Sequence, residues 1–407
     1  MIERSRSVTN SFDNALSYLI ALYCMALPFE EALAGALGSV LRLLGIVIIF
    51  LCIATSPEDV FRGNSFFVPL FLWLSYSFFS VLWSSSVEWW QYYIKMYLLQ
   101  FAILYCIAAV YKKINLRIVL RGAVLGAVIA CLLLILFPNA SNLTEDGRRT
   151  VIVLGAEFDP NIVGGIIILG FFSLMTLFSS SSNKKGIAHY GSYLCLLMLL
   201  LTGLLYTGSR GCLIALVFGL LIKVAIELLS SGKRWAAVLT LTMGFVSVLL
   251  AMSVLPEDLL QARFSPENIF GFNEVKTGSH NRYTIWHYST ILFKSNPMFG
   301  HGCGQFIDAI ARIYRSCASH NLYILLLVEG GIVGFILFMA QITKYLVNLF
   351  QLENKHLFIM MVSILVLALT LDTIPYKYFW VMLAICYIYI SQNKGKVRTA
   401  RMGSCNG

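Results

Sequence analysis

The chain of 407 residues is 58% hydrophobic and only 12% charged, and its net charge is +10. Soluble proteins carry about 25% charged residues, so this composition excludes a soluble enzyme. The positive charge is not accompanied by a soluble basic face with interleaved aromatic residues, so we expect no nucleic acid as a partner. The lipid bilayer or an anionic substrate is the expected partner of the basic residues.

In chain order, apolar runs of about 20 residues alternate with short polar segments, which is typical of transmembrane helices. We therefore predict an all-α polytopic membrane protein with about 12 transmembrane helices. Eleven is the alternative number, because the first run and the last two are short or interrupted. The runs cover residues 15–28, 37–55, 66–83, 91–110, 118–137, 161–178, 190–206, 211–229, 235–254, 321–342, 356–371 and 376–391.

The spans and the polar segments divide the chain into five blocks. Basic residues, among them Lys112 and Lys113, concentrate in the segments on the side of the N-terminus. The positive-inside rule therefore places both termini in the cytoplasm and the two long polar segments on the external face. The blocks are residues 1–137 with transmembrane helices 1–5, residues 138–254 with helices 6–9 and an external loop at 138–160, the external loop 255–320, residues 321–391 with helices 10–12, and a cytoplasmic tail at 392–407.

The external loop 255–320 is too long for a simple connection and is expected to have structure of its own. Apolar residues in two of its stretches repeat at helical spacing, on either side of the turn NPMFGHGCG, which predicts two amphipathic helices in the membrane interface. The first face comprises Ile285, Trp286, Ser289, Leu292 and Phe293, and the second comprises Phe306, Ile310, Ile313 and Cys317.

The ten cysteines include no CxxC pair, and no Cys–His spacing suits zinc, so we predict no metal site. Cys303 and Cys317 share the external loop. They would form a disulfide if the loop faces an oxidising compartment and their separation allows it.

Two arginines on the external face are candidate phosphate ligands. Arg210 stands in the short turn TGSRGC, and Arg282 opens the first amphipathic helix. A guanidinium binds phosphate oxygens bidentately, and the free N–H groups of a helix start favour an anion. The alternative is a surface role, in which Arg210 reaches lipid headgroups and Arg282 is solvated.

His320 and Glu329 both belong to the tenth span. His320 stands at its start, where a neutral imidazole can take a proton from a hydroxyl; a helix cap or a headgroup contact is the alternative. Glu329 lies within the span, and an ionisable group at that depth is a functional candidate by default.

Four more residues surround the start of the sixth span. Asp159 and Asn161 belong to the sequence DPN, where Asp159 suits a helix cap and also a sugar contact. Arg148 and Arg149 precede it and are either headgroup anchors or part of an anion site.

The order of these motifs is similar to that of the O-antigen ligase and polymerase family. The motifs are SRG after an apolar run, R-x-x-x-W from Arg282 to Trp286, N-P-x-x-G-x-G from Asn296 to Gly302, and HN followed by E-G-G. The resemblance covers residues 148–345 by motif and the whole chain by its number of spans. DPN resembles the polymerase branch more than the ligase branch.

The resemblance implies a C-type glycosyltransferase fold and transfer of a glycan from undecaprenyl diphosphate to an acceptor hydroxyl. It implies an inverting enzyme that needs no metal and no cofactor. Arg210 and Arg282 would hold the diphosphate, and His320 would be the general base. Substrate contacts would come from Arg148, Arg149, Asp159, Asn161 and Glu329.

The resemblance also implies surface polysaccharide synthesis in the bacterial cytoplasmic (inner) membrane, with the active site on the periplasmic or external face. The expected partners are the lipid-linked glycan, an acceptor glycan or lipid A core, the bilayer, and a chain-length regulator. Three alternatives are open: a ligase that attaches the glycan to lipid A core, a flippase or transporter of lipid-linked oligosaccharide, and an assembly scaffold.

Overall fold

A computed structural model of the chain describes residues 2–30, 40–137, 152–153, 156–157, 159–180, 186–230 and 282–404, with isolated residues between 234 and 257. Arg148 and Arg149 lie outside the described residues, and the predicted span at 235–254 is described only at isolated positions.

The described part of the chain is almost entirely α-helical, which confirms the predicted class. One small antiparallel hairpin pairs β1 (Ile152–Val153) with β2 (Ala156–Glu157). The helices are α1 (Ile2–Met25), α2 (Val40–Thr55), α3 (Pro57–Phe61), α4 (Val68–Phe79), α5 (Val87–Ala109), α6 (Leu116–Leu136), α7 (Pro160–Ser179), α8 (Ile187–Tyr206), α9 (Arg210–Leu229), α10 (Arg282–Ser295), α11 (Phe306–Ile313), α12 (Leu322–Phe350), α13 (His356–Leu367) and α14 (Lys377–Ser404).

Within the described ranges, seven helices are long and apolar enough to cross a membrane, and three shorter apolar helices accompany them. The chain is therefore a polytopic membrane protein, while the number twelve stays a prediction. Every predicted span except 235–254 coincides with a helix, and α14 extends well into the predicted tail. The seven are Pro57–Leu82 (the span that contains α3 and α4), Val87–Ala109, Leu116–Leu136, Pro160–Ser179, Ala188–Tyr206, Arg210–Leu229 and Leu322–Phe350.

The centre of the bundle depends on close approach between helices. A Cβ atom at Gly122 of α6 would lie 2.4 Å from the carbonyl oxygen of Ala21 in α1. One at Gly170 of α7 would lie 2.3 Å from the Cβ atom of Ala127 in α6. In a membrane, small residues let helices gain packing contacts that lipid cannot supply. These contacts hold α1, α6 and α7 together, and two of the predicted site residues, Asp159 and Asn161, stand at the start of α7.

Helix α12 is interrupted at Gly331, whose φ of 60° and ψ of −165° are not helical. Backbone groups freed by a break within a membrane helix need other partners, and the predicted turn before α11 supplies them. Four backbone hydrogen bonds join the two segments: Ile332 N to Pro297 O (2.9 Å), Val333 N to Met298 O (3.2 Å), His301 N to Val328 O (2.9 Å) and Gly302 N to Glu329 O (2.9 Å). The turn and the residues of α12 on both sides of Gly331 thus form one unit.

The first predicted helix is present with the predicted buried face, because α10 buries Ile285, Ser289 and Leu292, while its place in the membrane interface stays a prediction. The second prediction is partly wrong. Helix α11 ends at Ile313, which is exposed, because the chain leaves helical geometry at the next residue (φ −142°, ψ −84°). Cys317 therefore lies beyond the helix and not on its face.

The conditional disulfide between Cys303 and Cys317 is not formed in the structure, where both are free thiols. Burial raises the pKa of the Cys303 thiol well above its ordinary value, and the nearby Glu329 carboxylate raises it further. Cys303 is therefore a neutral buried thiol that packs at the turn.

Candidate functional site

His320 connects the predicted external loop to α12 in a strained conformation. Its φ of 49° is the only positive value among the described residues other than glycine. The helix is capped by the next residue, because the Asn321 Oδ1 atom accepts from the backbone N–H groups of Tyr323 (3.0 Å) and Ile324 (3.1 Å). His320 is therefore not the cap of α12, and strain of this kind persists where surrounding contacts impose it.

The contacts that impose it come from Asp372, in the segment 368–376 between α13 and α14. This buried carboxylate accepts from the backbone N–H groups of Asn321 (2.9 Å) and His320 (3.3 Å) and from the Ser319 hydroxyl. Burial raises the pKa of Asp372, whereas the Ser319 hydrogen bond and the neighbouring His320 lower it. Asp372 thus holds the backbone on both sides of the candidate base.

Helix α10 brings Arg282 to the same end of the bundle. Its Trp286 donates a hydrogen bond from Nε1 to the carbonyl oxygen of Ser319, at 3.2 Å. Arg282 is the first residue of that helix, one turn before Trp286, and its side chain is half-buried. The predicted R-x-x-x-W spacing therefore anchors α10 beside the residue that precedes His320.

Arg210 is the exposed first residue of α9. The preceding Ser209 donates a hydrogen bond to the Asn161 Oδ1 atom (2.8 Å), which ties α9 to α7. A Cβ atom at Gly211 would lie 2.3 Å from the Thr370 Oγ1 atom, so the start of α9 touches the segment that contains Asp372. Asn161 thus has a structural partner, and its contact with substrate stays a prediction.

Three separate elements therefore bring the predicted catalytic residues to one region. Helix α9 with Arg210 touches Thr370, α10 with Arg282 touches Ser319, and His320 is bonded to Asp372. Elements that carry two arginines and a histidine to one region suit an anionic group held beside a hydroxyl that loses its proton.

Asp159 caps α7, as the sequence predicts, with its Oδ1 atom accepting from the backbone N–H of Asn161 at 2.7 Å. It also lines a cavity of about 280 Å³ whose lining combines apolar side chains with polar side chains of both charges. Lys377 and Glu30 form an ion pair there. The polar lining consists of Glu30, Arg42, Tyr92, Gln100, Asp159, Tyr376 and Lys377.

Glu329 fixes the turn before α11. Its two carboxylate oxygens accept from the backbone N–H groups of Gly304 (2.9 Å) and Phe306 (3.1 Å), at the start of that helix. A carboxylate at a helix N-terminus is favourable for the helix dipole. The observed role is structural, and direct contact with substrate stays a prediction.

Sequence reasoning missed Asp372. Its only local signal is an acidic residue in LDTIPYK, between two short apolar runs, and its partners are about 50 residues earlier in the chain. Within the described ranges, no group of three His, Cys, Asp or Glu side chains is arranged to hold a metal ion.

The fold and the site define a polytopic helical membrane protein with cationic and titratable residues gathered at one end of its helices. Residues 195–339 match the family described as O-antigen ligase, a segment that includes Arg210, Arg282, His320 and Glu329. The match confirms the resemblance to the O-antigen ligase and polymerase family and supports glycan transfer of that type. No curated protein matches the chain.

Proposed function

We propose that the protein transfers a glycan from undecaprenyl diphosphate to an acceptor hydroxyl on the external face of the bacterial cytoplasmic membrane. The observation that carries the proposal is the strained His320, held by Asp372 between elements that bear Arg210 and Arg282. Strained backbone that is over-determined by its surroundings concentrates at functional sites. The family match over residues 195–339 supports the same activity.

The arginines act on the leaving group. When the bond between the sugar C1 atom and the diphosphate oxygen breaks, the diphosphate leaves with the electron pair and gains negative charge. Arg210 and Arg282 are permanently charged and form bidentate contacts with phosphate oxygens, so they stabilise this charge where it develops. In this mechanism they supply the positive charge that a metal supplies in other glycosyltransferases.

His320 acts on the acceptor. The acceptor hydroxyl oxygen bonds to C1 from the side opposite the leaving diphosphate, which inverts the anomeric centre, and its proton passes to the imidazole. General bases of this kind contribute about 10²–10⁴-fold to rate. Asp372 holds the backbone of His320 and places a negative charge nearby, which stabilises the imidazolium that forms.

The cavity beside Asp159 is the proposed site for an acceptor sugar. Its lining combines apolar side chains with Tyr92 and Tyr376, and sugar rings offer C–H faces to aromatic rings and hydroxyl groups to polar side chains. Pro375 and Tyr376 line the cavity, and Asp372 lies three residues before Pro375. An acceptor bound there lies next to the segment that holds His320.

The sequence DPN favours a polymerase, which extends one lipid-linked glycan with another, over a ligase that uses lipid A core. A strain that lacks the gene would accumulate a different polysaccharide product in each case. Loss of long chains with one repeat still attached to the core supports the polymerase, whereas accumulation of unattached polymer supports the ligase.

The test of the proposed activity is glycan transfer by the purified full chain in nanodiscs, with a lipid-linked glycan donor. Arg210→Ala, Arg282→Ala and His320→Ala should each abolish new glycosidic bonds while the thermal unfolding midpoint stays near that of the wild type. Arg312→Ala is the matched control, because Arg312 is exposed and, among the described residues, its ion pair is with Asp308 on the same helix. Near-normal transfer by all three variants would contradict the mechanism. Movement of the donor across liposomes without new bonds would instead favour a flippase.

A further inference from the structure

Arg315 stands five residues before His320, between α11 and α12. Its Nε and Nη2 atoms are buried, and neither has a hydrogen-bond partner among the residues that the structure describes. No described carboxylate forms an ion pair with it, although Arg312, three residues earlier, pairs with Asp308. The two neighbouring arginines thus differ sharply in environment.

The position of the guanidinium is set by aromatic packing. Its Cζ atom lies 5.2 Å from the ring centroid of Tyr314, and Tyr314 stacks on Tyr288 of α10 with centroids 4.9 Å apart. The ring contact is favourable to the cation but occupies none of its N–H groups in the guanidinium plane. Arg315 is therefore fixed by the same helix that carries Arg282.

Arg315 also lies within electrostatic range of the candidate site. Burial raises the pKa of the Cys317 thiol, the Arg315 guanidinium lowers it through its charge and a hydrogen bond to the sulfur, and the Asp372 carboxylate raises it. The Cys317 sulfur is therefore close enough to both charges to be affected by each. The side chains of Arg315 and Asp372 thus lie near the same residue, Cys317, which stands three residues before His320.

A guanidinium whose Nε and Nη2 atoms are buried and unpaired is costly, because it cannot lose its charge and these two donors have left water. A role in packing alone would not require that cost, since an apolar side chain of similar length would pack on Tyr314 without it. A ligand with several acceptor oxygens and negative charge removes the cost, and phosphate matches the guanidinium fork bidentately.

We propose that Arg315 is a third phosphate-binding residue of the site and contacts the diphosphate of the lipid-linked donor beside His320. This rests on the proposed function for the identity of the ligand. The phosphate could equally belong to a phospholipid headgroup, and the experiment separates these two sources.

The test measures binding to the full chain in nanodiscs of phosphatidylcholine, with inorganic pyrophosphate and farnesyl diphosphate as probes. Both probes should raise the thermal unfolding midpoint of the wild type. Arg315→Met should weaken their binding by about tenfold or more, since a hydrogen bond to a charged group contributes about 1.5–3 kcal/mol. Arg312→Met is the matched control and should bind as the wild type does.

A second readout separates binding from a structural role. Without a probe, Arg315→Met should unfold at the same temperature as the wild type or higher, because it removes two unpaired buried donors. A clearly lower midpoint without a probe, or unchanged binding by Arg315→Met, would overturn the proposal. The proposal would also be overturned if nanodiscs of phosphatidylglycerol raised the unfolding midpoint of the wild type as the diphosphate probes do, because the ligand would then be a lipid headgroup.

Failure of the inference can be told from failure of the proposed function. Probe binding that depends on Arg315 in a protein without glycan transfer would leave the phosphate site intact and refute the function. Normal transfer together with normal probe binding in Arg315→Met would refute the phosphate site alone.

Discussion

Replacing Asp372 perturbs the backbone around His320 without touching the imidazole. In Asp372→Ala, the Ser319 hydroxyl can turn to the Asn321 carbonyl oxygen at 2.9 Å, and the Asn321 N–H retains the Ser319 Oγ atom at 3.2 Å. Only the backbone N–H of His320 loses its described acceptor. A hydrogen bond to a charged group contributes about 1.5–3 kcal/mol, so we expect a loss of about 2 kcal/mol in the free energy of unfolding.

Asp372→Asn separates this loss from the loss of charge. An asparagine oxygen can still accept from Ser319 and Asn321, but its NH₂ group faces the backbone N–H of His320, so the cost should be about 2 kcal/mol, as in Asp372→Ala. Its amide carries no charge to stabilise an imidazolium, so we expect kcat for transfer to fall by about 10²–10⁴-fold with little change in KM.

The assay is transfer kinetics in nanodiscs beside an unfolding titration of each variant. Asp308→Asn is the control, because Asp308 is an acidic residue that pairs with the exposed Arg312. The reasoning is refuted if Asp372→Ala keeps both wild-type stability and wild-type kcat, or if Asp372→Asn loses stability but not kcat.

The pH dependence of stability gives an independent check on Asp372. Burial raises its pKa, so ionising this carboxyl costs the folded protein more than the unfolded chain, and stability is lost as the pH rises through the raised pKa. Asparagine does not titrate. The wild type should therefore lose stability relative to Asp372→Asn as the pH rises, as followed by unfolding midpoints at successive pH values. An identical pH dependence of the two proteins would be evidence against the raised pKa.

Three further predictions concern the turn and the orientation of the chain. Gly300→Ala should lower the unfolding midpoint strongly, because Gly300 has φ +67° and a Cβ atom there would lie 2.4 Å from the Glu329 carbonyl oxygen. Gly191→Ala is the control and should not lower the midpoint, because Gly191 has open space around it and lies within helix α8, where alanine is favoured over glycine. Glu329→Gln leaves one backbone N–H facing an amide NH₂, so it should cost about 2 kcal/mol in the same unfolding measurement, and an unchanged midpoint would disprove that role. In a cysteine-free background of intact cells, an impermeant maleimide should label Ser295→Cys but not Gln351→Cys; the reverse pattern would invert the predicted topology.

The sequence predicts most of this architecture because its signals are local. Hydrophobic runs locate the helices, and the cap at Asp159 and the apolar face at Ile285, Ser289 and Leu292 follow from short-range spacing. The break at Gly331 could not be predicted from E-G-G alone, because it depends on hydrogen bonds to a turn about 30 residues earlier.

Only the site residues that stand in short sequence motifs could be predicted. Arg210, Arg282 and His320 stand in recognisable short sequences, and the structure brings their elements together. Asp372 and Arg315 have no such motif, and their significance comes from contacts and burial that no spacing encodes.

The interlock between the turn at 297–302 and the interrupted α12 limits how this protein can be recombined with its relatives. The turn supplies the partners for backbone groups on both sides of Gly331, so neither segment is complete alone. A chimera that exchanges residues 282–321 would leave the recipient helix with a foreign turn. The natural unit of exchange therefore extends to about residue 333, and crossovers placed after it should yield more folded chimeras than crossovers placed at the start of α12.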